Sequence, residues 1–334
     1  MPDQAPQPVP VTVLTGYLGA GKTTLLNRIL TENHGRKYAV VINEFGEMGV
    51  DQDLVIDADE EVFEMNNGCI CCTVRGDLIR ILGGLMRRKD RFDGIIVETT
   101  GLANPAPVAQ TFFVDEDVKR ATRLDAIVTV VDAKHLLARL GDSPEAEEQV
   151  AFADVIVLNK MDLVTEAEAD EVERRIRAIN PTVEIHRATK SGVPLEAVIG
   201  RDAFSLDRIL EREPAFLSGE DTHTHDSAVQ SVSFEMDKPV DAEKFNAWIG
   251  ELLQSKGQDL LRTKGILHYQ GEDRRFAFQA VHMIADGDYI GPWKDGDPRK
   301  SKIVFIGRDL NRPALRRGFE ACQADAGTAP GTAA

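Results

Sequence analysis

The chain has 334 residues, 43% of them hydrophobic, and carries 39 Lys and Arg against 55 Asp and Glu, a formal net charge of −16. This length exceeds one small core and points to two domains, and the acidic balance argues against broad electrostatic binding to nucleic acid or an anionic membrane. No apolar run approaches the ~20 residues of a membrane span, and the opening MPDQAPQPVP has no basic region leading into an apolar stretch, so no signal peptide is expected and the chain is assigned to the cytoplasm.

Residues 1–9 read as a short disordered arm and 10–210 as one domain. Val11 to Thr15 is a β-branched run entering a Gly-rich turn, and Lys22 to Glu32 has helical spacing, with Leu25, Leu26, Ile29 and Leu30 on one side. Short, nearly continuous apolar runs recur at Ala39 to Asn43, Ile95 to Glu98, Ala126 to Val131 and Val155 to Asn159, the pattern of strands buried on both faces of a parallel sheet. Helical stretches fall between them at Val74 to Arg88, Val108 to Lys119 and Glu166 to Ile179, and a further strand is read at Val183 to His186. The alternation predicts a doubly wound, mostly parallel α/β domain. Residues 211–228, with Pro214, Gly219 and several charges, read as a linker. Beyond it, strand-like runs at Val229 to Phe234, Leu260 to Tyr269, Arg275 to His282 and Lys302 to Ile306, with helices at Ala242 to Gln254 and Arg312 to Cys322, predict a smaller α+β domain over 229–323 with an antiparallel sheet. Residues 324–334 read as a disordered tail.

Gly16-Tyr17-Leu18-Gly19-Ala20-Gly21-Lys22-Thr23 fits G-x-x-x-x-G-K-[ST] between a predicted strand and a predicted helix, the context of a phosphate-binding P-loop. The glycines let backbone N–H groups converge on phosphates at a helix N-terminus, from Gly16 and Gly19 through Ala20 and Gly21 to Thr24. Lys22 is expected to reach the β- and γ-phosphates and Thr23 to ligate Mg²⁺. Asn159-Lys160-Met161-Asp162 ends a predicted strand and matches the N-K-x-D element that reads guanine, because a carboxylate at Asp162 accepts from two guanine N–H donors that adenine does not present. Ala188 and Thr189, after the strand near His186, are expected to offer backbone contacts to the guanine carbonyl. Glu98, ending the acidic strand IIVETTG, is expected to approach Mg²⁺ through water, and Gly101 to give the γ-phosphate an N–H; Asp is the usual residue where this chain has Glu98. The residues after Gly101 are Leu102-Ala103-Asn104-Pro105, with no Gln to orient an attacking water, so intrinsic GTP hydrolysis is expected to be slower than ~1 s⁻¹.

Three of the four cysteines lie in Asn66-Asn67-Gly68-Cys69-Ile70-Cys71-Cys72. In an extended segment Cys69 and Cys71 share a side, and Cys72, just before the helix expected near Val74, sits where a helix N-terminus favours thiolates. Three thiolates select Zn²⁺, Cu⁺ or another thiophilic ion and leave a tetrahedral site incomplete, which suits a transferable ion better than a structural one. Buried, inert cysteines are the plainer alternative. Glu44, Glu47 and Asp51, where a first switch loop belongs, either contact Mg²⁺, complete the thiol site or are ordinary loop acids. His223 and His225 either capture metal transiently or are simply solvated, and the remaining histidines are assigned no role.

The segments GYLGAGKTTLLNRIL, NEFGEMGVD, NNGCICC, IIVETTG and LNKMD occur in the order found in the CobW-type P-loop GTPases, a metallochaperone family related to the nickel-inserting GTPases of urease and hydrogenase maturation, and LRTKGIL and KIVFIG resemble that family's C-terminal domain. The resemblance covers nearly all of the chain outside the tails. It implies that the C-x-C-C cysteines bind Zn²⁺ or a similar ion such as Co²⁺, and that GTP hydrolysis is coupled to delivering the ion to a client protein docked on the C-terminal domain, by a monomer or weak homodimer. With only His223 and His225, the linker departs from the longest His-rich versions. Cobalt delivery for cobalamin synthesis or nitrile hydratase stays open within this class. Outside it stand a small-molecule kinase, which N-K-x-D argues against, and a non-catalytic metal sensor or buffer.

Overall fold

The computed structural model of the chain describes residues 8–43, 62–65, 72–87, 92–204, 228–293 and 299–325. It separates into two compact units, one of residues up to Arg177 with Val183–Phe204, the other of Ala178–Thr182 with the chain beyond Phe204.

The first unit is built on seven strands: β1 (Val9–Thr15), β2 (Tyr38–Asn43), β3 (Val62–Met65), β4 (Gly94–Glu98), β5 (Thr122–Asp132), β6 (Val155–Asn159) and β7 (Glu184–Arg187). Their order is β3-β2-β4-β1-β5-β6-β7, and every pairing is parallel. Parallel neighbours require crossovers, here the helices α1 (Lys22–Thr31), α2 (Cys72–Met86), α3 (Ala106–Val114), α4 (Glu116–Ala121), α5 (Leu136–Asp142), α6 (Pro144–Phe152) and α7 (Glu166–Ile179). The central strands are buried along their whole length where they read as continuous apolar runs, as at Gly94–Glu98 and Val155–Asn159. Leu25, Leu26 and Ile29 of α1 pack on Leu14, Val40, Ile96, Val128 and Val157. The chain runs outward in opposite directions from β1, and the crevice at the C-terminal ends of β1, β4, β5 and β6 is where such sheets bind ligands.

Four expectations are adjusted. The helix expected over Val108 to Lys119 is two helices, because Asp115 leaves helical geometry and its carboxylate accepts from the N–H groups of Asp117 and Val118. The strand β1 begins at Val9, inside the expected arm. Ala324, the first residue of the expected tail, is buried and donates to Pro239 O, and α2 begins at Cys72, since no Gly or Pro interrupts the chain between Cys72 and Val74. Most of the expected linker, residues 211–227, lies outside the described residues.

The second unit is a five-stranded antiparallel sheet in the order β11-β10-β9-β12-β8, formed by β8 (Val229–Met236), β9 (Leu260–Leu267), β10 (Arg274–Val281), β11 (Ile284–Pro292) and β12 (Ser301–Arg308). Helices Ala242–Lys256 and Arg312–Ala321 cover one face, where Phe245 contacts the rings of Trp248, Tyr269 and Phe278 edge to face. Among the described residues no helix is long and apolar enough to cross a membrane.

Candidate nucleotide site

The loop after β1 passes from Gly16 to Gly21, the N-cap of α1. Gly21 lies at φ 114°, and a Cβ there would sit 2.4 Å from Asn159 Nδ2, so only glycine lets the loop close against β6. No side chain caps α1 and its first turn holds no acid, which leaves the N-terminal N–H groups and the helix dipole facing the crevice. A phosphate satisfies both. Lys22 is buried, and its ammonium donates to Gly16 O at 2.8 Å and lies 3.5 Å from Tyr17 O, which curls the side chain back over the loop. Thr23 is half-buried in the first turn and Thr24 is exposed. Ala20 is fully buried, and Gly19 lines a cavity of about 250 Å³ with Tyr17, Leu18, Asp132, Arg139 and Lys160.

At the adjoining strand end, the β1–β4 register sets Glu98 beside Leu14, and Glu98 is buried. Thr99 N donates to Leu14 O at 2.9 Å and Thr99 Oγ1 to Thr15 Oγ1 at 2.8 Å, tying the two strand ends together. Among the described residues the buried Thr100 hydroxyl has no hydrogen-bond partner, which is unusual enough to point to a ligand. Gly101 lies so close to the loop that a Cβ would be 2.6 Å from Leu18 N. The buried Gln149 of α6 donates to Gly101 O and Ala103 O, each at 3.1 Å, and so anchors this segment from behind. The set fits a Mg²⁺-phosphate group: hard oxygen donors at Thr23 and Glu98, an orphaned hydroxyl at Thr100 and an uncapped helix.

The third wall comes from β6. The Asn159 side chain is buried and does two things at once: Nδ2 donates to Ala20 O at 2.8 Å, and Oδ1 accepts from Ser191 N at 2.8 Å. It thereby joins the phosphate loop to the loop after β7, and Ser191 Oγ adds a bond to Gly21 O at 3.1 Å. Lys160 lies at φ 63°, and its ammonium donates to Asp132 Oδ2 at 2.8 Å. Burial by itself would raise the Asp132 carboxyl, but hydrogen bonds from Lys160 and His135 outweigh it and hold it below the usual carboxylate range. Asp162 is exposed on the short 3₁₀ turn Met161–Leu163. Ala188 N donates to Leu158 O at 2.8 Å and Ala188 O accepts from Met161 N at 3.0 Å. Both backbone groups of Ala188 are thus engaged within the protein, and Thr189 is exposed. Asp132, Gln149 and Ser191 belong to no motif, and only Asp132, at the end of an apolar run, carries even a weak signal in the sequence.

Of the expected metal ligands, Cys69, Cys71, Glu44, Glu47 and Asp51 lie outside the described residues, as do His223 and His225. Cys72 is the first residue of α2, not the residue before a helix at Val74. Among the described residues no three His, Cys, Asp or Glu side chains form a metal-binding group. The fourth cysteine, Cys322, is buried in the second unit with its thiol pushed up to about 11 by burial.

Residues 10–187 match the CobW/HypB/UreG nucleotide-binding domain, and residues 229–323 match the cobalamin synthesis protein cobW C-terminal domain. The chain is 36% identical to the zinc chaperone YjiA of Escherichia coli over 93% of its own length and 98% of that protein's. It is 33% identical to the zinc-regulated GTPase metalloprotein activator 1 of Schizosaccharomyces pombe, over 93% and 85% respectively. The crystal structure of Zn(II)-bound YjiA GTPase from E. coli superposes with a TM-score of 0.78 at 31% identity, covering 96% of this chain and all of that one.

Proposed function

Because the chain belongs to the CobW/HypB/UreG family, we propose that this GTPase is a zinc chaperone in which the nucleotide state governs the holding and release of the ion at Cys69, Cys71 and Cys72. The observation that carries the nucleotide half is the pair of hydrogen bonds made by the Asn159 side chain, donating to Ala20 O and accepting from Ser191 N, which draws the phosphate loop, N-K-x-D and the loop after β7 into one crevice. The zinc half is supported by the relatives, zinc chaperones by name along nearly the whole chain, and by the chemistry of C-x-C-C.

Lys22 neutralises the β- and γ-phosphates, Asp162 accepts from the guanine ring N–H and amino group, and Thr189 offers its amide to the guanine carbonyl. Thr23, and Glu98 through water, would hold Mg²⁺, which neutralises charge on the transferring phosphoryl group. Gly101 offers its N–H to the γ-phosphate, and Gln149 fixes where that N–H lies. With Leu102 where a water-orienting Gln would help, hydrolysis is slow and acts as a timer. The three thiolates take Zn²⁺ as cargo, and Glu44 or Glu47 completes the shell or meets Mg²⁺. A client docks on the C-terminal unit in the cytoplasm.

The test is anaerobic competition titration of Zn²⁺, Co²⁺ and Ni²⁺ with GTP analogue or GDP bound, repeated on Cys71→Ala. Linkage requires that GTP change zinc affinity by the factor that zinc changes GTP affinity. Equal zinc affinity in the two nucleotide states sinks the switch, unchanged affinity in Cys71→Ala sinks the site, and a preference for Co²⁺ replaces zinc as the cargo.

A further inference from the structure

We propose that Arg28 is a positioning residue for base recognition: it holds the loop 188–192 in the one conformation that presents an amide to the guanine carbonyl. This rests on the reading above that the loop receives guanine.

Lys190 and Ser191 are consecutive non-glycine residues in the left-handed region, at φ 51° and 54°. Such residues are sparsely populated and persist only where the surroundings over-determine them. Ser191 is fully buried; its carbonyl accepts locally from Val193 N at 2.9 Å, and three groups from elsewhere in the chain fix its place. Two come from recognised motifs: Asn159 Oδ1 on its N–H and Gly21 O on its hydroxyl. The third is Arg28, in no motif, whose guanidinium Nη1 donates to Ser191 O and, at 3.1 Å, to Val193 O. A planar cation bridging two carbonyls across a turn is a staple, and its bonds are charge-assisted. Glu32, one helical turn on, takes Nε at 2.6 Å and sets the side chain's direction. Arg28 lies on α1, whose N-terminus carries the phosphate loop, so one helix orients both the phosphate end and the base end of the crevice.

The chemistry gives a selective test. Without the staple the left-handed conformation keeps Asn159 and Gly21 but loses its hold on the carbonyl side of the turn, and the hydrogen bond to the guanine carbonyl is the one that weakens. Inosine diphosphate keeps that oxygen and lacks the amino group that Asp162 would read; 6-thioguanosine diphosphate keeps both N–H donors and replaces the oxygen with a poor acceptor. Dissociation constants for GDP, inosine diphosphate, 6-thioguanosine diphosphate and ADP are measured on the full chain and on Arg28→Ala. In Arg28→Ala, GDP and inosine diphosphate are expected to weaken together by about tenfold, 6-thioguanosine diphosphate to weaken less than about threefold, and KM for GTP to rise with kcat unchanged. Lys190→Gly, at an exposed position, removes the side-chain penalty of the left-handed conformation and is expected to restore part of the affinity to Arg28→Ala. If Arg28→Ala does not fold, Arg28→Lys is measured with the same nucleotides and is expected to show the same pattern at smaller size.

Equal weakening of GDP and the thio analogue, or no weakening, overturns the role of Arg28. A wild-type chain that binds ADP as tightly as GDP overturns the guanine reading itself and is a separate result.

Discussion

Asn159→Ala removes one side chain and breaks two buried bonds, the donor to Ala20 O and the acceptor for Ser191 N. Ala20 and Ser191 are both fully buried, so water does not replace the missing amide without a rearrangement. An orphaned buried polar group costs about 1–3 kcal/mol, and two such groups sum to about 2–6 kcal/mol, a large share of the roughly 5–15 kcal/mol of a folded domain. Asn159→Asp separates the two bonds. It keeps the acceptor for Ser191 N but turns a second acceptor toward Ala20 O, and its buried carboxyl is more easily accommodated when protonated, with the new O–H donating to that carbonyl. Protonation of the folded form is then favoured, the folded pKa of the new carboxyl is raised, and its deficit shrinks as pH falls from about 7 to about 5, whereas that of Asn159→Ala stays constant. Both tryptophans, Trp248 and Trp293, lie in the second unit, so the assay is urea unfolding followed by far-ultraviolet circular dichroism, together with GDP affinity from a fluorescent analogue. An Asn159→Ala chain within about 0.5 kcal/mol of wild type and with GDP affinity within about twofold would refute the view that this side chain ties the crevice together.

Three further outcomes are expected. Asp132→Asn removes the charge partner of Lys160 and should weaken GDP binding about three- to tenfold with kcat unchanged, read from mutant kinetics. Because the folded Asp132 carboxyl titrates below its unfolded value, its stabilisation is present at neutral pH, shrinks as pH falls through the ordinary value of about 3.9 and is gone below the folded pKa; the gap in urea midpoint between wild type and Asp132→Asn should follow that course. Gly101→Ala places a methyl 2.6 Å from Leu18 N, a backbone atom that cannot swing away, so single-turnover hydrolysis should fall at least about tenfold while GDP affinity stays within about threefold; unchanged hydrolysis would remove Gly101 from the γ-phosphate site. Phe245→Ala, at a fully buried position touching three aromatic rings, should destabilise the second unit by about 3–5 kcal/mol, measured by tryptophan fluorescence in urea.

Elements with one dominant local signal were legible in the chain. Val155–Asn159 is an unbroken apolar run and Glu166–Ile179 a long amphipathic one, and both occur at the expected residues. Strands at sheet edges were less legible. Ile284–Pro292 carries no clear strand signal because this edge strand holds Asp286, Gly287 and Asp288 and, among the described residues, pairs only with β10. The helices Leu136–Asp142 and Pro144–Phe152 are short, and their type is decided by packing against the sheet more than by propensity.

The sequence by itself determined the chemistry available: a phosphate loop with its lysine and threonine, an N-K-x-D element, a three-thiol run, and an alternation of strand and helix that admits one class of fold. These are local patterns, in which a few adjacent residues suffice to define the backbone and the donor set. Tertiary structure alone decided which distant groups complete them. Asn159 bonds across 139 residues to Ala20, Arg28 reaches 163 residues to Ser191, and Gln149 holds Gly101 from 48 residues away. No sequence period encodes such pairs, because parallel strands bring together segments separated by whole crossovers, and the partners meet only where the sheet lays their strand ends side by side.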